Sequence, residues 1–109
     1  MIIYISGKMT GLPDYGRAVF FEAEKELLKR GYVVLNPAWL PDGLKYDQYM
    51  DIDLAMIRQA DAICLLPNWE DSRGAKLEKD YARELGLPVY FLHNLTEHSV
   101  NTAEVGMAG

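Results

Sequence analysis

Short apolar runs alternate along this chain with longer stretches in which apolar positions recur every three or four residues, the pattern of strands interleaved with helices. Residues 2–5 are a continuous apolar and aromatic run rich in β-branched side chains and stopped by Ser6-Gly7, which predicts a buried first strand. Over 14–30 the period becomes helical. Phe20, Ala23 and Leu27 share one stripe, Glu22, Lys25, Glu26 and Lys29 fall mostly elsewhere, and Gly31 supplies the stop. Residues 32–35 read as the second strand, closed by Asn36-Pro37, and 38–46, with Pro41 and an Asp42-Gly43 turn, as a loop. A second helix is expected over 47–59, with Tyr49, Met50, Ile52, Met56 and Ile57 inward, then a third strand at 62–66. A third helix over 73–85 stops at Gly86, and 88–92 is the fourth strand. The pattern weakens after His93, so 1–93 reads as the domain and 94–109 as a tail or an oligomer-contacting arm.

Strands with nearly continuous apolar faces that alternate with helices imply a parallel sheet covered on both sides. Right-handed crossovers then make 2-1-3-4 the simplest strand order for a small doubly wound α/β fold of the flavodoxin or Rossmann-like kind. In such a sheet a ligand lies beyond the C-terminal ends of the strands. Those ends carry Ser6-Gly7-Lys8-Met9-Thr10-Gly11, Asn36-Pro37 and Asn68-Trp69-Glu70-Asp71-Ser72-Arg73-Gly74.

The first of these loops matches neither the three-glycine dinucleotide pattern nor the phosphate loop ending in Gly-Lys-Ser/Thr, so neither a dinucleotide nor ATP is implied; its glycines serve a turn or let a ligand approach the backbone. Glu78 is more informative. It falls on the third helix's inward stripe with Gly74, Ala75, Leu77, Tyr81, Ala82 and Leu85, where a carboxylate loses water or must find partners. Such a position suits a nucleophile or an acid/base group, against the plainer reading of a glutamate that snorkels or pairs with an arginine. Asp53 repeats the pattern on the second helix, three residues after Met50 and four before Ile57. Ser72-Arg73-Gly74 opens the third helix, where free N–H groups and the dipole favour an anion; the plainer reading is an N-cap serine and a surface arginine. Trp69 either stacks on a base or plugs the rim of the core.

Composition narrows this picture. A chain of 109 residues, half of them hydrophobic, is one domain with one core. Its thin burial margin favours self-association. Sixteen acidic against eleven basic residues give a net charge of -5, which argues against a nucleic-acid polymer as partner but leaves room for a small anion at a helix start. Cys64 is alone in an apolar run, and His93 and His98 lack zinc-ligand spacing, so no disulfide framework, metal or cofactor is expected. No signal peptide or membrane span is read, which makes the cytoplasm the expected compartment.

Several stretches together carry a resemblance. They are Ile3-Tyr4-Ile5-Ser6-Gly7-Lys8-Met9-Thr10-Gly11, Asp53 with Ala60-Asp61-Ala62-Ile63, Leu66-Pro67-Asn68-Trp69-Glu70-Asp71-Ser72-Arg73-Gly74-Ala75, and Glu78 through Ala82 with Leu85-Gly86. Over roughly residues 2–92 they resemble an uncharacterised family of phages and prophages. That family is similar to the nucleoside 2-deoxyribosyltransferases and the deoxynucleoside 5'-monophosphate N-glycosidases. The resemblance implies that Glu78 attacks the anomeric carbon and forms a covalent deoxyribosyl intermediate. It implies that Asp53 positions the nucleoside and handles the base's proton. Ser72 is in register with a serine near the 5'-phosphate of the monophosphate hydrolases, and Asp71 is one residue out of register. Tyr4 and the loop Ser6, Gly7, Lys8, Met9, Thr10 and Gly11 match the sugar- and base-binding end of strand one. A neighbouring subunit helps close the pocket in those relatives, which implies a homo-oligomer, a dimer or tetramer.

Two functions follow as expectations. One is cleavage or transfer of the N-glycosidic bond of a deoxynucleoside or its 5'-monophosphate. The other is a nucleotide-binding or interaction module of the same fold without turnover, motivated by the extra residue between Asp71 and Glu78.

Overall fold

The computed structural model describes residues 1–96; residues 97–109, with His98 and most of the expected tail, lie outside the described residues. Four strands, β1 (Ile2–Ser6), β2 (Val33–Leu35), β3 (Ala62–Leu65) and β4 (Val89–Phe91), form one parallel sheet in the order β2-β1-β3-β4, the expected order. Helices α1 (Arg17–Lys29), α2 (Tyr46–Gln59) and α3 (Arg73–Glu84) are the crossovers, and a short α4 (Leu92–Thr96) follows β4. Among the described residues no helix is long and apolar enough to cross a membrane.

Strand alternation divides the core in two. Ile3 and Ile5 of β1 and Ala62 and Cys64 of β3 face α1, packing with Phe20, Ala23 and Leu27, and Leu95 of α4 joins them. Tyr4, Ile63 and Leu65 face the opposite way and pack with Ile57 of α2 and Ala82 of α3. The entry into β1 is clamped by Asp61, whose carboxylate accepts from the Ile2 amide at 2.7 Å.

Three expectations change. The first helix starts at Arg17, not residue 14, because Asp14, Tyr15 and Gly16 take left-handed φ values of 49°, 56° and 69° in a 3-10 turn over Pro13–Gly16. Gly16 is needed there, since a Cβ would meet Leu12 at 2.9 Å and the Lys8 carbonyl at 3.0 Å. Ile52 of α2 and Leu77 and Leu85 of α3 lie outward, 36%, 45% and 44% exposed. The contact face is narrower than a periodic stripe suggests, and on α3 it is centred on Ala75, Glu78 and Ala82. Finally, the 38–46 loop opens with a 3-10 turn, Pro37–Trp39, in which the Asn36 side chain accepts from the Ala38 amide.

Candidate active site

A cavity of about 350 Å³ opens beyond the C-terminal ends of β1 and β2. It is within the range of small-molecule sites. The β1–α1 loop supplies Gly7, Met9 and Thr10, and α3 supplies Ser72, Gly74, Ala75 and Glu78. Asp53, Met50 and Tyr49 come from α2. The outer wall is built by Tyr15 and Arg17 and by Leu40, Gly43 and Leu44 of the loop before α2.

Glu78 sits at the floor because of its helix neighbours. Ala75 and Ala82, one turn to each side, are small and buried, so α3 lies close on β1 and β3 and presses the intervening glutamate onto the sheet. Glu78 is 5% exposed and Asp53 8%. The Ser6 hydroxyl donates to Glu78 Oε1 at 2.6 Å. The Tyr4 hydroxyl, also fully buried, lies within the influence of both carboxyls but has no hydrogen-bond partner in the protein, and neither has Asp53 Oδ1. The two carboxyls that seemed inward-facing in the sequence thus reach the same cavity.

Their electrostatics follow from this crowding. Burial, reinforced by the charge of Asp53, holds the Glu78 carboxyl well above its usual range, opposed by donation from Ser6 and, after it, by the nearby Tyr4 hydroxyl. Burial also raises Asp53, against the opposing influence of the neighbouring Glu78 and Tyr4 groups. Burial first, then the negative charges of Glu78 and Asp53, raises the Tyr4 phenol well above the usual tyrosine range. Two like charges so close ionise together only at a cost, so the pair holds and releases protons as a unit.

The remaining sequence candidates separate clearly. Gly7, Met9, Thr10, Ser72 and Gly74 line the cavity, while Tyr4 and Ser6 lie beneath it. Gly7 lets the loop pass against Leu66, the residue just after β3, where a Cβ would meet the Leu66 side chain at 2.9 Å. Lys8, Gly11, Trp69, Asp71 and Arg73 do not line the cavity. The Lys8 amide is engaged by Asn68 Oδ1 at 3.1 Å, and Gly11, Asp71 and Arg73 face solvent. Trp69 packs on the second core cluster beside Phe91, with the Lys79 ammonium 4.7 Å from its ring centre, which favours the rim-plug reading over base stacking. Ser72 is the N-cap of α3, its Oγ accepting from the Ala75 amide at 3.0 Å. Cys64 lies on the other face of the sheet, where burial pushes its thiol up to about 12, far from nucleophilic use. Among the described residues no cluster of three or more histidine, cysteine or acidic side chains could hold a metal ion.

Sequence reasoning missed the outer wall. Arg17 bridges Asp14 at 2.8 Å and Asp42 at 2.5 Å, reaches the Ala38 carbonyl, and places its guanidinium 5.3 Å from the Tyr15 ring centre. The Tyr49 hydroxyl donates to the Pro41 carbonyl at 2.6 Å and accepts from the Leu44 amide. The loop before α2 is thus strapped across the cavity mouth from both sides. The Asp42-Gly43 turn was the only signal of this in the sequence.

The family model described as "Domain of unknown function (DUF4406)" matches residues 1–91. No curated protein matches the sequence significantly. Among solved structures, the chain is similar to a 2-desoxiribosyltransferase from Leishmania mexicana at a TM-score of 0.63 and 27% identity, covering 83% of this chain and 62% of that one. The chain therefore spans less than two thirds of that enzyme's length. A 2-deoxyribosyltransferase from Bacillus psychrosaccharolyticus superposes at 0.66 with 22% identity, over 84% of this chain and 71% of the other. The CMP N-glycosidase BcmB from Clostridium botulinum superposes at 0.61 with 16% identity, over 88% and 83%. At the two lower identities the likeness is one of fold. The chain has a nucleoside 2-deoxyribosyltransferase-like α/β fold.

Proposed function

The chain belongs to the DUF4406 family, and we propose that it cleaves or transfers the N-glycosidic bond of a deoxynucleoside or its 5'-monophosphate, with Glu78 as nucleophile. The observation that carries this reading is the convergence of Glu78 and Asp53, both nearly dry, at the floor of one cavity beyond the strand ends. The solved structures of like fold include two 2-deoxyribosyltransferases and a CMP N-glycosidase, which supports the substrate class.

Breaking this bond builds positive charge on the sugar, which a carboxylate can stabilise and then capture. Glu78 Oε2, which has no bond to another described residue, forms a bond to the anomeric carbon as the carbon–nitrogen bond breaks. The electron pair leaves with the base, whose nitrogen takes the proton held by Asp53. Water or a second free base then attacks the same carbon, returns a proton to Asp53, and releases Glu78. Water gives hydrolysis and a second base gives transfer. Ser72 and Gly74 at the start of α3 are the groups placed to hold a 5'-phosphate. Arg73, the first residue of α3, is exposed, and Arg17 is already paired with two aspartates. Self-association as a dimer or tetramer, in the cytoplasm, completes the proposal.

The raised Glu78 carboxyl favours a second reading, a nucleotide-binding module without turnover, because a protonated carboxyl is no nucleophile. Purified protein incubated with each deoxynucleoside and each 5'-monophosphate, with and without a second base, separates the two. Chromatographic release of free base, lost in Glu78→Ala, supports the enzyme; intact substrates with measurable binding support the module.

A further inference from the structure

Glu78 is buried beside a second carboxyl, and both the burial and that neighbour resist its ionisation. Asp53 of α2 and the Tyr4 phenol of β1 are the titratable groups facing it, and Arg17 of α1, which lines the same cavity, is committed to Asp14 and Asp42. Tyr4 makes no hydrogen bond of good geometry. One well-formed donor remains, the Ser6 hydroxyl, 2.6 Å from Glu78 Oε1 and joined to it across 72 residues of sequence.

We infer that Ser6 is a positioning residue for Glu78: it holds Oε1 so that Oε2 is the oxygen presented to the cavity, and it is the donor that lets the carboxylate exist there. The inference rests on the reading of Glu78 as nucleophile for its functional meaning, but not for its geometry. Ser6 is not among the residues that line the cavity and is fully buried beneath it. Its backbone is held on the central strand, paired with Leu65 of β3 and with its carbonyl accepting from the Leu66 amide at 2.8 Å. A serine side chain has a single heavy-atom torsion, so on a pinned backbone its hydroxyl is placed without flexibility. A short O–H···O contact of this length is the geometry of a charge-assisted bond to a carboxylate, which strengthens as the acceptor ionises. Burial first and Asp53 second act the opposite way, and the Tyr4 hydroxyl, which also favours the ionised form, makes no hydrogen bond of good geometry. Removing Ser6 therefore leaves a buried carboxylate oxygen with no donor, and the neutral acid becomes the favoured form.

The test is a carbon-detected NMR titration of the Glu78 side-chain carboxyl in the full chain, wild type against Ser6→Ala, Ser6→Thr and Ser6→Cys. Ser6→Ala should bind the Glu78 proton roughly tenfold more tightly, a midpoint about one pH unit higher. Ser6→Thr, which keeps the hydroxyl, should restore the wild-type midpoint. Should Ser6→Ala fail to fold, the near-isosteric Ser6→Cys, a weaker donor, carries the test with a smaller shift in the same direction. An unchanged midpoint in the folded variant that lacks the hydroxyl overturns the inference. If base release is observed, the acidic limb of kcat/KM should move upward with the NMR midpoint; a loss of rate at all pH values with no movement of the limb counts against it. If wild type releases no base from any substrate while the NMR shift is present, the enzyme reading fails and the Ser6–Glu78 relation stands.

Discussion

The two faces of β1 are built from one five-residue strand and have opposite characters. Ile3 and Ile5 look toward α1 into an apolar core packed by Phe20, Ala23 and Leu27, beside which the buried Asn36 side chain is hydrogen-bonded to the Phe20 carbonyl and to Glu24. Tyr4 and Ser6 look the other way, beneath two carboxyls that are nearly dry and incompletely hydrogen-bonded. The first face is optimised for burial. The second carries unpaired polar atoms and raised carboxyls, a stability cost of the kind that marks functional sites. The contrast teaches that in this fold stability and candidate chemistry are assigned to opposite sides of the same strand.

The comparison can be broken most sharply on the polar side. Glu78→Ala should reduce base release at least roughly a thousandfold, about 4 kcal/mol of transition-state stabilisation, while circular dichroism shows the fold retained. Retained activity would remove the polar face from the chemistry. On the apolar face, Leu27→Ala should cost about 3 kcal/mol in denaturant unfolding through the cavity it leaves, with base release per folded molecule unchanged. A proportionate fall in that specific activity would mean the two faces are coupled.

A smaller effect of opposite sign is expected when the charge alone is removed. The folded Glu78 carboxyl is held above its unfolded value, so the native state binds more protons between the two. The stability linked to that proton is fully present below the unfolded value and is lost as pH rises through the folded one. Glu78→Gln should therefore stabilise the protein by about 1 kcal/mol in mildly alkaline buffer, with the gain fading as pH falls. Thermal melts across that range would show it, and a gain that grew on acidification would contradict the assigned direction. The smallest effect belongs to the cavity mouth. Arg17 pairs with Asp14 and Asp42, side chains 75% and 69% exposed, so salt weakens both contacts. Arg17→Met should weaken ligand binding by no more than about fivefold, with a reduced salt dependence measured by calorimetry.

Legibility in the sequence follows the range of the interactions. The β–α alternation and the strand order could be read because apolar runs and Gly stops are local. The inward settings of Glu78 and Asp53 could be read because each is three or four residues from apolar neighbours on its helix. The alternation within β1 could not. Four consecutive apolar residues hide a period of two, so Tyr4 and Ser6 looked like a strand and a loop, not like hydroxyls beneath a carboxyl. The sequence places the start of the first helix three residues too early because nothing in Asp14-Tyr15-Gly16 announces three left-handed residues in succession.

By itself, then, the sequence determined the parallel α/β sheet, the end of it at which a ligand would sit, and the two acidic side chains turned toward it. These depend on periodicity and on turn residues, which act over a few positions. Only the tertiary structure decided that the two carboxyls share one cavity, that Ser6 grips Glu78 from below, and that Arg17 straps the mouth through Asp42, 25 residues away. Those relations join distant segments, and they are set by how closely α3 lies on the sheet and where the loops close, distances that no local pattern of residues encodes.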